Sequence, residues 1–153
     1  MKIIDDFISH WPGKATMMAI PNDIIKNTEE QLETVLPVSY KYLVSAYGLV
    51  RTPNVLTKTC DLTIEIAEVH DFLSLEDVLS LSKLYVLSGM PTGYVVFASD
   101  TKGNMFCFKH NAGDYSDDSV WFYEYGSSEV SKVDDSFSQW LKLFIKAKAI
   151  RLK

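Results

Sequence analysis

An amphipathic helix is the first strong pattern of apolar and polar residues along the chain. Asn22 is a suitable N-cap for this helix, because its side chain can accept a hydrogen bond from a backbone N–H that has no helical partner. The Leu36-Pro37 pair ends the helix, since the residue before a proline avoids the helical conformation. The apolar face comprises Ile25, Thr28, Leu32 and Val35, and the opposite face comprises Glu29, Glu30 and Glu33.

Two shorter helices are predicted on either side of this one. The first runs from Ile3 to His10 and ends at the turn formed by residues 11–13, Trp-Pro-Gly. The other starts at Pro37 or Ser39, and Gly48 is its expected left-handed stop. Its apolar positions are Tyr40, Leu43, Val44 and Tyr47.

Strand patterns follow in the middle of the chain. Residues 62–66 alternate between apolar and polar side chains, as a half-buried strand does. Strands over residues 94–98 and 105–109 are close enough to form a hairpin, and residues 120–125 form a further aromatic strand. The residues predicted to form the hairpin turn are Asp100, Lys102 and Gly103.

Two more helices complete the pattern. Residues 71–83 are ambiguous, and a short helix starting at the Ser-Leu-Glu-Asp segment 74–77 is favoured. Asp134 and Asp135 precede the last helix and suit its positive N-terminal end. The apolar stripe of that helix comprises Phe137, Trp140, Leu141, Phe144 and Ile145.

The order of these elements predicts one α+β domain over residues 1–153. Helices come first, then strands with short connections, then a final helix, which favours a mostly antiparallel sheet. We expect the N-terminal helices and the C-terminal amphipathic helix to flank that sheet.

Composition and charge narrow the classes of function. The 153 residues are 47% hydrophobic and 23% charged, which suits a globular domain and excludes a disordered chain. The formal net charge of −5 argues against a general nucleic-acid binder and favours a basic partner.

The sequence gives no sign of a membrane or secreted protein. Its longest apolar runs fall far short of a spanning helix, and Asp5 and Asp6 stand where a signal peptide would be apolar. We therefore expect a cytoplasmic protein that does not bind membranes. Cys60 and Cys107 form no CxxC pair and are expected to be reduced, buried thiols.

Motifs of enzymes and metal sites are weak or absent in the sequence. Ser80 and Lys83 match an SxxK pattern without any companion motif, and a plain helix surface is the favoured interpretation. His10, His70 and His110 lack neighbours at metal-ligand spacing, and the acidic segment 114–118 lacks the glycine and glutamate of an EF-hand loop. We expect no enzyme activity, no metal and no cofactor.

Acidic residues are concentrated between positions 111 and 135. This segment holds seven acids and one lysine, whereas the segment from 136 to 153 holds five bases and no acid. Two interpretations stay open: a solvated loop system, or a recognition patch for a basic partner. The contact candidates of the second are Asp114, Asp117, Asp118, Glu124 and Glu129, with Tyr115 and Tyr123 as exposed aromatic anchors.

Several of these segments also match the pattern of a known superfamily. Residues 28–37 resemble the E–x–x–L–G–x–x–LP segment of the SUKH superfamily, which includes the yeast cell-wall synthesis regulator and many bacterial immunity proteins. Residues 39–48 resemble its next helix, with the glycine at its end. The hairpin segments 97–108 and the segments 120–123 and 133–141 are similar to its later strands and its final Ser-Phe helix.

The resemblance covers about residues 23–145 and includes departures. Glu33 stands where glycine is common, and Tyr47 stands where asparagine is common. Asp134 and Asp135 replace the usual small residue before the Ser-Phe pair. The matching residues look structural, so the resemblance transfers no catalytic role.

The resemblance implies a SUKH-like α+β domain that binds a protein and catalyses no reaction. Many bacterial members are cytoplasmic immunity proteins, which neutralise the toxin domain of a contact-dependent or polymorphic toxin, often a nuclease. We expect this chain to bind a basic cognate toxin rather than nucleic acid. The alternative is a regulatory or scaffold domain like the eukaryotic members, and exposed edge strands also leave homodimer formation open.

Overall fold

Helices and antiparallel strands are arranged as an α+β domain. The computed structural model describes residues 2–9, 18–48, 69–100, 102–110 and 118–142. The helices are α1 (Lys2–Ser9), α2 (Asn22–Leu32), α3 (Val38–Ala46), α4 (Leu75–Leu87) and α5, described over residues 137–142. The strands are β1 (Val69–Phe72), β2 (Tyr94–Asp100), β3 (Met105–Lys109), β4 (Val120–Glu124) and β5 (Glu129–Asp134). They form a five-stranded antiparallel sheet in the order β1-β2-β3-β4-β5, which confirms the predicted fold class.

One face of this sheet carries an aromatic core. Phe106 and Phe108 lie two residues apart on β3 and therefore share a face. Phe97 lies at a bulge in β2 and stacks on Phe108 with 4.1 Å between ring centroids. Tyr40 of α3 meets Phe108 at 5.2 Å, and Trp140 of α5 meets Phe106 at 5.2 Å. Helices α3 and α5 therefore pack on this face.

Helix α4 covers part of the opposite face. The Ser82 hydroxyl accepts a hydrogen bond of 3.1 Å from the backbone N–H of Val96, in the middle of β2. The Tyr85 ring meets the Tyr123 ring of β4 edge-on, with centroids 6.0 Å apart.

The junction of α2 and α3 is bridged by the side chain of Glu29. Oε2 of Glu29 accepts hydrogen bonds from the backbone N–H of Leu36 at 2.7 Å and from Nζ of Lys41 at 3.3 Å. These contacts give a structural role to the first glutamate and to the Leu-Pro pair of the segment 28–37. Gly48 follows α3 with φ of 89°, which confirms the predicted left-handed stop. Because glycine has no Cβ, the backbone carbonyl of Met18 can approach it closely.

Two expectations for α2 are wrong. Asn22 is not the N-cap, because Pro21 holds that place, and no side chain in the described part of the chain caps the start of α2. The Pro21 carbonyl instead accepts from the N–H groups of Ile24 and Ile25. The helix also ends at Leu32, because Glu33 takes the left-handed conformation with φ of 57°, so Val35 lies outside it.

The later elements agree with the sequence patterns, except that two strands, β1 and β5, were not predicted. The ambiguous segment is helical from Leu75, and Ser74 caps α4 by accepting from the N–H of Asp77. The predicted hairpin is formed by β2 and β3, and Asp100 organises its turn. β5 was not predicted, because its residues are partly or fully exposed and show no apolar alternation.

Some predictions concern residues outside the described ranges. These are the turn at 11–13, the strand at 62–66, Cys60, the acidic loop up to position 117, and Phe144 and Ile145. Within the described part of α5, the apolar stripe is confirmed, because Phe137, Trp140 and Leu141 are fully buried.

Candidate protein-interaction surface

Two glutamates face each other at the tip of the β4–β5 hairpin. Glu124 ends β4, Glu129 begins β5, and the two are direct cross-strand partners. Both are exposed. Like charges placed directly opposite each other in a sheet destabilise it. The pair, which we call the acidic tip, therefore concentrates negative charge at a local energetic cost.

The acidic tip is held by hydrogen bonds to the neighbouring hairpin. The backbone N–H of Tyr125, next to Glu124, donates to Oδ1 of Asn104 at 2.9 Å. Asn104 in turn donates from its backbone and its side chain to the buried Asp100 carboxylate, at 2.9 Å and 2.8 Å. The turns of both hairpins thus form one connected unit.

The two tyrosines near the acidic tip differ in exposure. Tyr125 is 54% exposed and leans against Tyr85, with ring centroids 6.1 Å apart. Tyr123, expected to be an exposed anchor, is 0% exposed, so that expectation is wrong. Strand alternation turns Tyr123 toward α4, where the Tyr85 ring covers it.

The remaining candidate contact residues do not gather at the acidic tip. Asp118 precedes β4 at its other end, about 20 Å away at the rise of an extended strand. Its Oδ2 accepts a hydrogen bond of 2.8 Å from the Ser39 hydroxyl, which ties it to the start of α3. Asp114, Tyr115 and Asp117 lie outside the described ranges.

A row of aromatic and basic residues crosses the sheet, and the sequence analysis missed it. Lys109 of β3 and Lys132 of β5 place their Nζ atoms 5.3 Å and 5.9 Å from the Trp121 ring centroid. Tyr94 of β2 meets the same ring edge-on at 5.9 Å. We call these four residues the Trp121 row. Its only sequence signal was an alternating pattern within each strand, which does not reveal how strands pair.

A cavity of about 380 Å³ adjoins the Trp121 row at Tyr94. Its walls come from the end of α2, from α4 and from the segment that enters β2. The apolar wall residues are Leu32, Val86 and Leu87, and the polar ones include Glu33, Lys83 and His110. Partial burial lowers the pKa of His110, so its imidazole is held toward the neutral form.

The described residues show little that resembles a catalytic or metal site. No group of three or more His, Cys, Asp or Glu side chains among them could hold a metal ion. Ser80 is exposed, and its hydroxyl donates to the Asp77 carbonyl at 3.5 Å, a local contact within α4. Burial raises the pKa of the Cys107 thiol, which keeps it protonated, in agreement with the expected buried thiol. No helix in the described ranges combines the length and apolar character needed to cross a bilayer.

The described residues thus carry two distinct charged surfaces, the acidic tip and the Trp121 row. The chain belongs to the SMI1 / KNR4 family (SUKH-1), whose family model matches residues 19–143. Domains of this family are known for protein–protein interaction, and it is not a known enzyme family. In a comparison with curated proteins, no significant match was found. The resemblance drawn from the sequence is thus confirmed at the level of the family.

Proposed function

We propose that the protein is an immunity protein that binds and neutralises a basic cognate toxin domain by forming a protein complex. The observation that carries this proposal is the acidic tip, where Glu124 and Glu129 face each other in register and in solvent. A fold gains nothing from such a pair, because like charges opposite each other repel. A basic partner would relieve this repulsion by placing a cation between the two carboxylates.

Tyr125 supplies the aromatic contact that such an interface needs. It is exposed beside the acidic tip, and its backbone N–H is fixed by Asn104. Tyrosines in fixed positions are frequent hot spots, because they bury a large area and lose little side-chain entropy. Asp118 stays a candidate for a second contact at the other end of β4, and Asp114, Tyr115 and Asp117 stay candidates from the sequence.

A nuclease-type toxin suits this surface because enzymes that bind nucleic acid carry basic surfaces. The net charge of −5 would also steer the complex together from a distance. Such an inhibitor acts in the cytoplasm, where the toxin would reach its substrate. The protein binds the toxin rather than nucleic acid itself.

The first test is affinity capture of the tagged protein from its native host. We expect one basic domain of a larger protein in equimolar amount. Expressed alone, that domain should be toxic, and co-expression of this chain should restore growth. Recovery of several non-toxic regulatory proteins would instead support the scaffold alternative and contradict the proposal.

The second test uses the captured toxin to locate the surface of this protein that it contacts. In the double variant Glu124→Gln/Glu129→Gln, affinity for the toxin should fall about tenfold or more, because two charge-assisted contacts are lost. The matched control Asp23→Asn/Glu30→Gln removes the same charge from exposed positions on α2 and should leave affinity within about twofold. Equal losses in both variants would assign the effect to net charge and not to the acidic tip.

A further inference from the structure

The Trp121 row and the cavity meet at Tyr94, and we call the two together the groove. Trp121 and Tyr123 share a face of β4, since they are two residues apart, and Tyr85 of α4 covers Tyr123. Trp121, on the same face, is only partly buried. Tyr94 both contacts Trp121 and lines the cavity, so it joins the two parts of the groove.

The indole of Trp121 fixes the positions of two ammonium groups. Lys109 and Lys132 come from the strands on either side of β4 and place Nζ atoms near the ring. The indole Nε1 donates to the Ser119 hydroxyl at 3.0 Å, which sets the orientation of the ring. Cation–π attraction thus holds flexible lysine side chains in place and lowers the entropy that anion binding would cost.

The other end of the groove is apolar. Leu87 is 84% exposed, although it lines the cavity together with Val86 and Leu32. A large exposed leucine at the mouth of a cavity is typical of a surface that another molecule covers.

Glu33 and Lys83 both line the cavity and offset each other in charge, whereas the Trp121 row contributes two lysines. Neither Lys83 nor Lys109 forms an ion pair with any residue that the structure describes. Lys132 contacts Asp135 at 2.8 Å and carries the row to the sheet edge. These lysines form a basic surface on a protein whose formal net charge is −5.

We propose that this groove binds an extended acidic segment of a protein partner, with one apolar side chain in the cavity. The segment's carboxylates contact Lys109 and Lys132 in the Trp121 row. The charges of Glu33 and Lys83 offset each other in the cavity, so the positive charge of the Trp121 row decides where the acidic part lies. This inference rests on the proposed function in one respect, which is that the bound molecule is a protein. It concerns a different surface, whose charge is opposite to that of the acidic tip.

Single-stranded nucleic acid fits the groove less well. Bases bind to aromatic rings by stacking on an open face, whereas two lysines lie over the ring of Trp121 and Tyr94 packs against it in a T-shaped arrangement. The cations available are lysines held at fixed points, which suit separate carboxylates. Nucleic acid is therefore the competing outcome of the test.

The test uses a displayed library of random peptides, selected on the full-length protein. We expect the selected peptides to combine several Asp or Glu residues with a Leu, Phe or Trp. Their addition should shift the NMR signals of the Trp121 indole N–H and of Tyr94 and Leu87. Affinity should fall about tenfold in Lys109→Gln/Lys132→Gln, as expected for two lost charged contacts.

The matched control is Lys26→Gln/Lys102→Gln, which removes the same charge from exposed positions outside the groove. It should leave peptide affinity unchanged within about twofold. The inference is overturned if no peptide is enriched, if both double variants bind equally, or if oligouridine shifts the Trp121 signal and acidic peptides do not. Because no toxin is used, a failure here leaves the immunity function standing, and a failure of toxin capture leaves the groove standing.

Discussion

Glu33 holds a backbone conformation that favours glycine. Its φ of 57° and ψ of 34° end α2 with a left-handed residue. An L-residue with a Cβ pays about 1 kcal/mol or more for this conformation, which explains why the family pattern has glycine at this point. Glu33 also lines the cavity of the groove, so the residue with the unfavourable backbone conformation lies at a candidate binding surface.

Replacing this residue tests the strain. We expect Glu33→Gly to raise the free energy of unfolding by about 0.5–1 kcal/mol, measured by urea denaturation, because glycine adopts positive φ freely. Glu33→Ala is the control, since it removes the carboxylate and keeps the Cβ. If alanine stabilises as much as glycine, repulsion by the carboxylate is the cause, and strain is not.

Tyr40 carries a hydroxyl that the core does not satisfy. The residue is fully buried among Phe97, Phe108 and Phe137, and its hydroxyl has no hydrogen-bond partner among the described residues. Burial accordingly raises the pKa of its phenol. A buried polar group without a partner lowers stability by about 1–3 kcal/mol.

Tyr40→Phe should therefore keep or raise stability, by up to about 1 kcal/mol, because the ring contacts remain and the unsatisfied oxygen is removed. Tyr85→Phe is the matched control, since the Tyr85 hydroxyl donates to the Gly103 carbonyl at 2.8 Å. That control should lower stability by about 1 kcal/mol. A loss of stability in Tyr40→Phe equal to that of the control would contradict the expectation.

At the scale of elements, α1 is attached to α3 by one carboxylate. Oδ1 of Asp5 accepts from the hydroxyl of Tyr42 at 2.8 Å and from that of Tyr47 at 2.5 Å. The hydrogen bonds from Tyr47 and then Tyr42 lower the pKa of Asp5 below its usual value of 3.8. The same contact with Asp5 raises the pKa of Tyr47 to about 12 from 10.0.

These shifts predict how the attachment depends on pH. The contribution of Asp5 is present above about pH 4 and is lost as the pH falls through its lowered pKa. The contribution of Tyr47 is full below about pH 10 and is lost as the pH rises toward the raised pKa. The thermal midpoint of Tyr47→Phe should therefore lie below that of the parent protein at neutral pH, and the difference should shrink in acid and in strong base.

Tyr125→Phe is the control for this pH series. Its hydroxyl makes no hydrogen bond with the described residues, so its midpoint should follow the parent protein at every pH. A difference for Tyr47→Phe that stays constant from acid to base would show that ring packing, and not the shared carboxylate, attaches α1.

At the scale of the whole molecule, one aromatic cluster links both ends of the described chain to the sheet. Trp140 of α5 contacts Phe97 of β2 at 5.4 Å, Phe106 of β3 at 5.2 Å and Phe72 of β1 at 5.9 Å. Phe72 in turn meets Phe7 of α1 at 6.3 Å. The final helix, three strands and the first helix therefore depend on the same packing.

Trp140→Ala should lower the free energy of unfolding by about 3–5 kcal/mol, since it leaves a large cavity in this cluster. Circular dichroism and tyrosine fluorescence should report one common transition, because elements that share the cluster unfold together. Tyr125→Ala, at an exposed position, should change stability by less than about 1 kcal/mol. Separate transitions for the two probes would show that α5 and the sheet unfold independently.

Prediction from the sequence succeeded where local pattern and tertiary packing agree. The apolar residues of α3 and the hairpin strands β2 and β3 lie where their periodicity placed them. The sequence-based prediction failed where an element depends on hydrogen bonds that its own residue pattern does not indicate. β5 has no apolar pattern and exists because β4 provides its hydrogen-bond partners, and the Pro21 carbonyl starts α2 without help from Asn22.

The sequence by itself determined the family, the α+β order of elements and the excess of acids between positions 111 and 135, because these depend on residues close together in the chain. Only the tertiary structure decided that Glu124 faces Glu129, that Tyr123 is buried, and that Trp121 lies between two lysines. The physical reason is that strand pairing and helix packing bring together residues distant in sequence. A pattern within one segment carries no information on its partner.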